Sequence, residues 1–386
     1  LTKKFIDYSS KFFIKEPNFQ NIEDILIKHK NELFLDDTKY GIIKGFDLIE
    51  DKKIFSQSLF SISNIKKSVR NMIDEKVKIF LNAPLDSLSF GDVSKTKLKD
   101  DPLIYWGDEP IGKLKKGTTL YKPIIEALNS EYITSENKLL ISAKLQKWYD
   151  NELDDVLHPL NKNLDENLNP EIRAIAFNCF ENFGNYPTES FKNSLKSITQ
   201  ESRLQLTKLG IRIGAKYFYT PNLLKKKSIE LCAILWKTFN QNYSDNFLPL
   251  PLNGRVSFTS DTKMPNNYWN AIGYINIKNF VFRIDVFEKI FFIARQKLKK
   301  GPFLESSDLM NPIGCNSNQL KDIMIFCGYE FLTISDDKKL YFFNGNKNEI
   351  KKIKNKSKNK KLKKLNQNNK VEKDPNSPFA VLEKLL

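Results

Sequence analysis

The sequence predicts an α+β protein, mainly helical, with small β-hairpin units and a C-terminal winged-helix-like module. Three observations carry that expectation. Two strand-turn-strand stretches in the first third resemble one another, the middle is dominated by apolar residues at helical spacing, and Arg283 to Phe343 runs helix, short helix, Gly-Cys turn, helix, hairpin.

Residues 1–133 form the first expected unit. Leu33 to Gly45 (LFLDDTKYGIIKG) and Leu103 to Gly117 (LIYWGDEPIGKLKKG) are each an apolar strand, a polar turn and an apolar-rich return strand ending at glycine. Helical sequence follows each, at about Ser56 to Asn82 and about Glu136 to Leu164, so the two hairpins are expected to form one small sheet against helices. Residues 134–247 read as a helical accessory domain, with helices at Glu171 to Asn182, Glu201 to Leu209 and Asn222 to Asn240. Within it Ile211 to Tyr219 (IRIGAKYFY) alternates like a strand, and Pro221 suits the first position of the next helix.

Residues 248–282 are expected to be an irregular connection, marked by Pro249, Pro251, Gly254 and Pro265, ending in a short strand pair. Residues 283–344 are the winged-helix-like module. Ile284, Phe287, Phe291, Ala294 and Leu298 share one helical face, and Gly301-Pro302 ends that helix. Asn316 three residues before Gln319 matches a capping box, and Leu320, Ile323, Met324 and Cys327 then recur at helical spacing. Phe331 to Ile334 and Leu340 to Phe343 flank a polar turn, the expected wing. Residues 345–376, lysine- and asparagine-rich, read as a disordered linker. Residues 377–386 read as a short amphipathic docking helix, with Ser377 as cap, Pro378 at the first position, and Phe379, Leu382 and Leu386 on one face.

The chain is 386 residues with a net charge of +16, and its basicity is unevenly placed. Twelve lysines and three acids fall between Gly345 and Asp374, so the remainder is only mildly basic. No apolar stretch is long enough to span a membrane and no secretory signal is present, so no membrane partner and a cytoplasmic location are expected. Leu1 to Lys15 begins inside a helical pattern without a cap, the look of the back part of a longer protein. Cys179, Cys232, Cys315 and Cys327 stand far apart with no neighbouring histidine, which excludes the common zinc spacings and favours buried thiols.

The sequence offers no catalytic constellation and no cofactor or metal site. Gly107-Asp108-Glu109-Pro110-Ile111-Gly112-Lys113 has the spacing of a nucleotide-binding P-loop, but Leu114 stands where a hydroxyl must hold magnesium, Pro110 removes a backbone N-H, and the context is a hairpin. The basic features fit phosphate binding instead. Arg212 and Lys216 lie among Tyr217, Phe218 and Tyr219, just before the run Lys225, Lys226, Lys227. In the module Ser317, Asn318, Lys321 and Lys338 can reach phosphates or bases, with Asp322 beside them as a repelling charge. The competing reading makes the aromatics core and the lysines a solvated helix end.

Several strings together resemble a known family. Leu209-Gly-Ile-Arg-Ile-Gly214 followed by Pro221, Leu223, Leu224 and Lys225, the Gly314-Cys315 turn with Leu320 and Cys327-Gly328-Tyr329, and Ser377-Pro-Phe-Ala-Val-Leu382 are similar to the region behind the motor of alphaproteobacterial superfamily-two ATP-dependent helicases, relatives of the mitochondrial RNA-degradosome helicase. The hairpins around Tyr40-Gly41 and Trp106 to Leu114 extend the resemblance over nearly the whole chain. It implies ATP and Mg only for a missing motor, and for this chain a non-catalytic accessory role on RNA or DNA. The lysine- and asparagine-rich tail and the scarcity of arginine depart from the family pattern. Alternatives are a protein-interaction scaffold that holds a protein partner through the SPFAVL segment, and a free-standing winged-helix regulator.

Overall fold

The structure, a computed structural model, describes residues 26–29, 32–35, 38–50, 62–95, 97–98, 100–158, 168–240, 247–252, 254–261, 263–333 and 340–343. They fall into two compact units, Leu1–Asn161 with Glu230–Leu250, and Lys162–Ile229 with Pro251–Leu386. Both mix helices with small antiparallel sheets. No helix among the described residues is long and apolar enough to cross a membrane.

The first unit contains β1 (Leu26–His29), β2 (Glu32–Leu35), β3 (Thr38–Lys44) and β4 (Asp47–Glu50), a sheet in that order. After helix α1 (Ile62–Asn82) come β5 (Leu88–Phe90), β6 (Leu103–Trp106), β7 (Glu109–Thr119) and β8 (Lys122–Ala127), a second sheet in chain order. The two hairpins seen in the sequence therefore belong to separate sheets, not one, because each pairs with its own neighbouring strands. The sheets repeat one another closely. Leu33 faces Gly41 and the register slips between Leu33 and Phe34; Ile104 faces Gly112 and slips between Ile104 and Tyr105. A Cβ at Gly41 would lie 2.7 Å from the Ile49 carbonyl oxygen, and one at Gly112 would lie 3.1 Å from that of Glu126, so glycine is needed at the same place in both.

Helix α1 turns Val69, Ile73, Val77 and Phe80 inward. Phe80 meets Phe46 at 5.4 Å and Trp106 at 5.3 Å, which ties the helix to both sheets through edge-to-face contacts. Helix α2 (Ser135–Leu157) lies along β8 and buries Ile141, Leu145, Trp148 and Tyr149. It ends at Leu157, short of the expected Leu164, because Pro159 forces His158 into an extended conformation (ψ 134°).

The second unit begins with α3 (Pro170–Glu181), β9 (Tyr186–Pro187), α4 (Ser194–Ser197) and α5 (Gln200–Lys208). The expected strand Ile211 to Tyr219 is instead a tight hairpin, β10 (Arg212–Ile213) and β11 (Tyr217–Tyr219), in a sheet of order β10-β11-β9. The expected helix from Asn222 is likewise divided: Pro221–Leu224 is a 3-10 turn, Lys225 is extended, and α6 (Lys226–Phe239) starts after it, its residues from Glu230 onward belonging to the first unit. The division lets Leu223 and the adjacent Leu224 both be buried, with Leu224 filling the space over Gly273.

Next come β12 (Ser257–Thr259), α7 (Asn266–Ala271), β13 (Tyr274–Ile277) and β14 (Phe280–Arg283), a sheet of order β12-β14-β13. Last are α8 (Ile284–Lys299), β15 (Phe303–Leu304), α9 (Ser307–Met310), α10 (Ser317–Phe326), β16 (Glu330–Thr333) and β17 (Leu340–Phe343), the strands ordered β15-β17-β16. One core joins these parts. Ile275 and Phe282 of the first sheet, Phe287 and Ile290 of α8, Leu320 and Ile323 of α10 and Phe342 of β17 pack in a single buried cluster.

Candidate nucleic-acid interface

Helix α10 owes its placement to a reciprocal cap and an apolar face. The Asn316 side chain accepts the Gln319 N-H at 2.9 Å while the Gln319 side chain accepts the Asn316 N-H at 2.9 Å, worth about 1 kcal/mol to the helix start. Leu320, Ile323 and Met324 are buried, leaving Asn318 exposed and Ser317 and Lys321 half-buried. The Lys321 ammonium stands 4.3 Å from the centroid of the Phe331 ring on β16, so it lies along the helix-strand junction.

Asp322 is not the isolated repelling charge that its place in the sequence implies. Lys278, in the turn between β13 and β14, approaches it to 2.8 Å. The Lys278 side chain is 74% exposed, and its charge offsets that of Asp322, the residue after Lys321 on α10. Lys278 and Asn279 both have positive φ, 47° and 69°, the geometry of a two-residue hairpin turn. A lysine held there costs on the order of 1 kcal/mol relative to glycine.

The β10-β11 turn is built around a buried carboxylate. Glu288 of α8 is 6% exposed and accepts three backbone N-H groups, from Ala215 at 2.5 Å, Lys216 at 2.9 Å and Tyr217 at 2.8 Å. A Cβ on Gly214 would collide with that carboxyl, which is why glycine precedes the turn. Burial pushes the Glu288 pKa above the ordinary value, and the three N-H groups pull against it. Lys216 therefore has its N-H committed to α8 and its ammonium 5.7 Å from the Phe291 ring. Arg212 is exposed and faces Tyr219 across the hairpin. Lys225, Lys226 and Lys227 are exposed at the start of α6.

The structure thus places Ser317, Asn318 and Lys321 on one helix, with Lys278 added to them. It sets Arg212 and Lys216 on a hairpin anchored by Glu288. Lys338 and the docking residues Phe379, Leu382 and Leu386 lie outside the described residues. Lys278 and Glu288 escaped the sequence reading because each acts on a partner 44 or more positions away. The polar Lys278-Asn279 pair between two apolar runs was the local sign of a turn there.

The P-loop-like stretch is the turn at Gly107-Asp108 and the start of β7, in the hairpin that pairs β6 with β7, and Lys113 is 3.6 Å from Asp101. Among the described residues no group of three or more His, Cys, Asp or Glu is placed to hold a metal ion. The four cysteines are buried, and burial pushes the Cys179 and Cys232 thiols up to about 12, which leaves them unreactive at neutral pH. No family model, curated protein or solved structure matches this chain.

Proposed function

We propose that this chain is a nucleic-acid-binding accessory region of an ATP-dependent helicase, guiding an RNA or DNA strand without a chemical step of its own. The observation that carries the reading is the face of α10, where Lys278 offsets Asp322 beside Ser317, Asn318 and Lys321. The succession helix, strand, short helix, helix and two strands, with sheet order β15-β17-β16, supports reading residues 283–344 as a winged helix whose third helix is α10. The resemblance of Leu209 to Gly214, Gly314-Cys315 and Cys327 to Tyr329 to post-motor helicase regions supports the helicase assignment.

The shared core favours this over a free-standing regulator, because α8 and α10 are buried against β13, β14 and the β10-β11 hairpin and make one body with them. Fluorescence anisotropy with labelled single-stranded RNA and DNA tests the proposal. Binding is expected to weaken steeply as salt is raised, and no binding at low salt overturns it. ATP hydrolysis by this chain alone is expected to be at background.

A further inference from the structure

The first unit contains a cavity of about 530 Å³ whose polar lining is Asp100, Asp101, Lys115, Lys116, Lys237 and Thr238. Three of its charged groups already have a partner in the fold. Lys115 is 2.9 Å from Glu126, Asp101 is 3.6 Å from Lys113, and the Lys116 ammonium lies 4.8 Å from the Phe239 ring centroid. The Thr238 hydroxyl donates to the Ile234 carbonyl at 2.8 Å. Lys237 differs. It is 4% exposed, it lines the cavity, and no hydrogen bond or ion pair to its ammonium occurs among the described residues. Burial is the main effect on it and pulls its pKa down to about 8, against weaker opposing attraction from Asp101 and Asp100.

A lysine this buried, with no protein group paired to its charge, favours an anion in the cavity it lines, and cavities of this size hold small ligands. We propose that the cavity binds a nucleotide: its phosphoryl group sits against Lys237, Lys115 and Lys116, and Asp100 and Asp101 accept hydrogen bonds from its hydroxyl or amino groups. The mixed lining fits a phosphate monoester with a polyhydroxyl or amino-bearing body better than a compact polyanion such as a triphosphate, which the two carboxylates repel. This site is in the other unit from α10 and does not rest on the proposal made for that helix. The nucleotide can be free or part of a strand.

Pyridoxal phosphate is a suitable probe, since it joins a phosphoryl group to an aldehyde. The neutral Lys237 amine adds to the aldehyde carbon and water leaves; borohydride then delivers hydride to the C=N carbon, leaving a stable secondary amine readable by peptide mass mapping. The expected result on the full chain near neutral pH is preferential labelling of Lys237, suppressed by adenosine monophosphate, by a single-stranded oligonucleotide, or by both. Suppression by the mononucleotide identifies a free ligand and suppression by the oligonucleotide alone identifies a strand; either supports the site. Labelling spread over surface lysines without preference for Lys237, or labelling that none of these competitors suppresses, overturns it.

As a second measurement, Lys237→Met should weaken calorimetric binding of the suppressing competitor at least about tenfold, and unchanged binding overturns the proposal. The Lys278→Glu/Lys321→Glu variant should keep Lys237 labelling, so that failure here and failure of the α10 proposal remain distinct.

Discussion

Three side chains, Glu288, Lys278 and Lys237, hold most of the new physical information. Glu288 is a buried acceptor for three N-H groups of one turn, so removing it leaves three donors short of a partner. Glu288→Ala should destabilise the protein by about 3 kcal/mol in chemical unfolding, with Glu288→Gln costing less because one acceptor oxygen remains. Lys237 acts in the opposite direction. Its folded pKa of about 8 lies below the unfolded 10.5, so its contribution favours folding above the unfolded value and is lost as pH falls through the folded one. Lys237→Met should therefore raise stability near pH 7 by about 1–2 kcal/mol, less than the full shift because solvent reaches the ammonium, and the gain should shrink as pH approaches 10.5. Unfolding curves at several pH values check both size and trend. None of these roles could be read locally, since a lysine or glutamate in sequence carries no mark of the distant backbone or cavity it meets.

Elements were more legible where their signals are local. The Asn316-Gln319 capping box, the Gly301-Pro302 stop and the pair of resembling hairpins all occur as their spacing suggests. What spacing missed was how each element is held by others. Lys144 of α2 is one case: its ammonium donates to the carbonyls of Phe80 at 2.5 Å, Leu81 at 3.1 Å and also Ala83, closing the C-terminal end of α1. Desolvation by burial lowers its pKa. Lys144→Met should cost about 2 kcal/mol, measured as a lowered unfolding midpoint. The repeated sheets make a paired prediction. A Cβ at Gly112 would stand 2.5 Å from a Leu145 side-chain carbon as well as 3.1 Å from the Glu126 carbonyl oxygen, whereas at Gly41 the main obstacle is the Ile49 carbonyl oxygen. Alanine at either position should destabilise by about 1–3 kcal/mol, read in the same assay.

At the scale of the whole molecule, positive charge is concentrated late in the chain. The lysine-rich stretch from Gly345 onward lies outside the described residues, and the remainder of the chain is only mildly basic. Any strand binding therefore has two candidate sources, a diffuse one in that stretch and a defined one on α10 with Lys278. They separate by substitution, because the stretch contributes equally to any two chains that both retain it. The most direct test compares wild type with Lys278→Glu/Lys321→Glu, both full length, by anisotropy against single-stranded RNA over a salt series. Weaker binding is expected for the variant, with a slope of log affinity against log salt smaller by about one to two. Identical affinities and slopes, with the variant folded by circular dichroism, would contradict it.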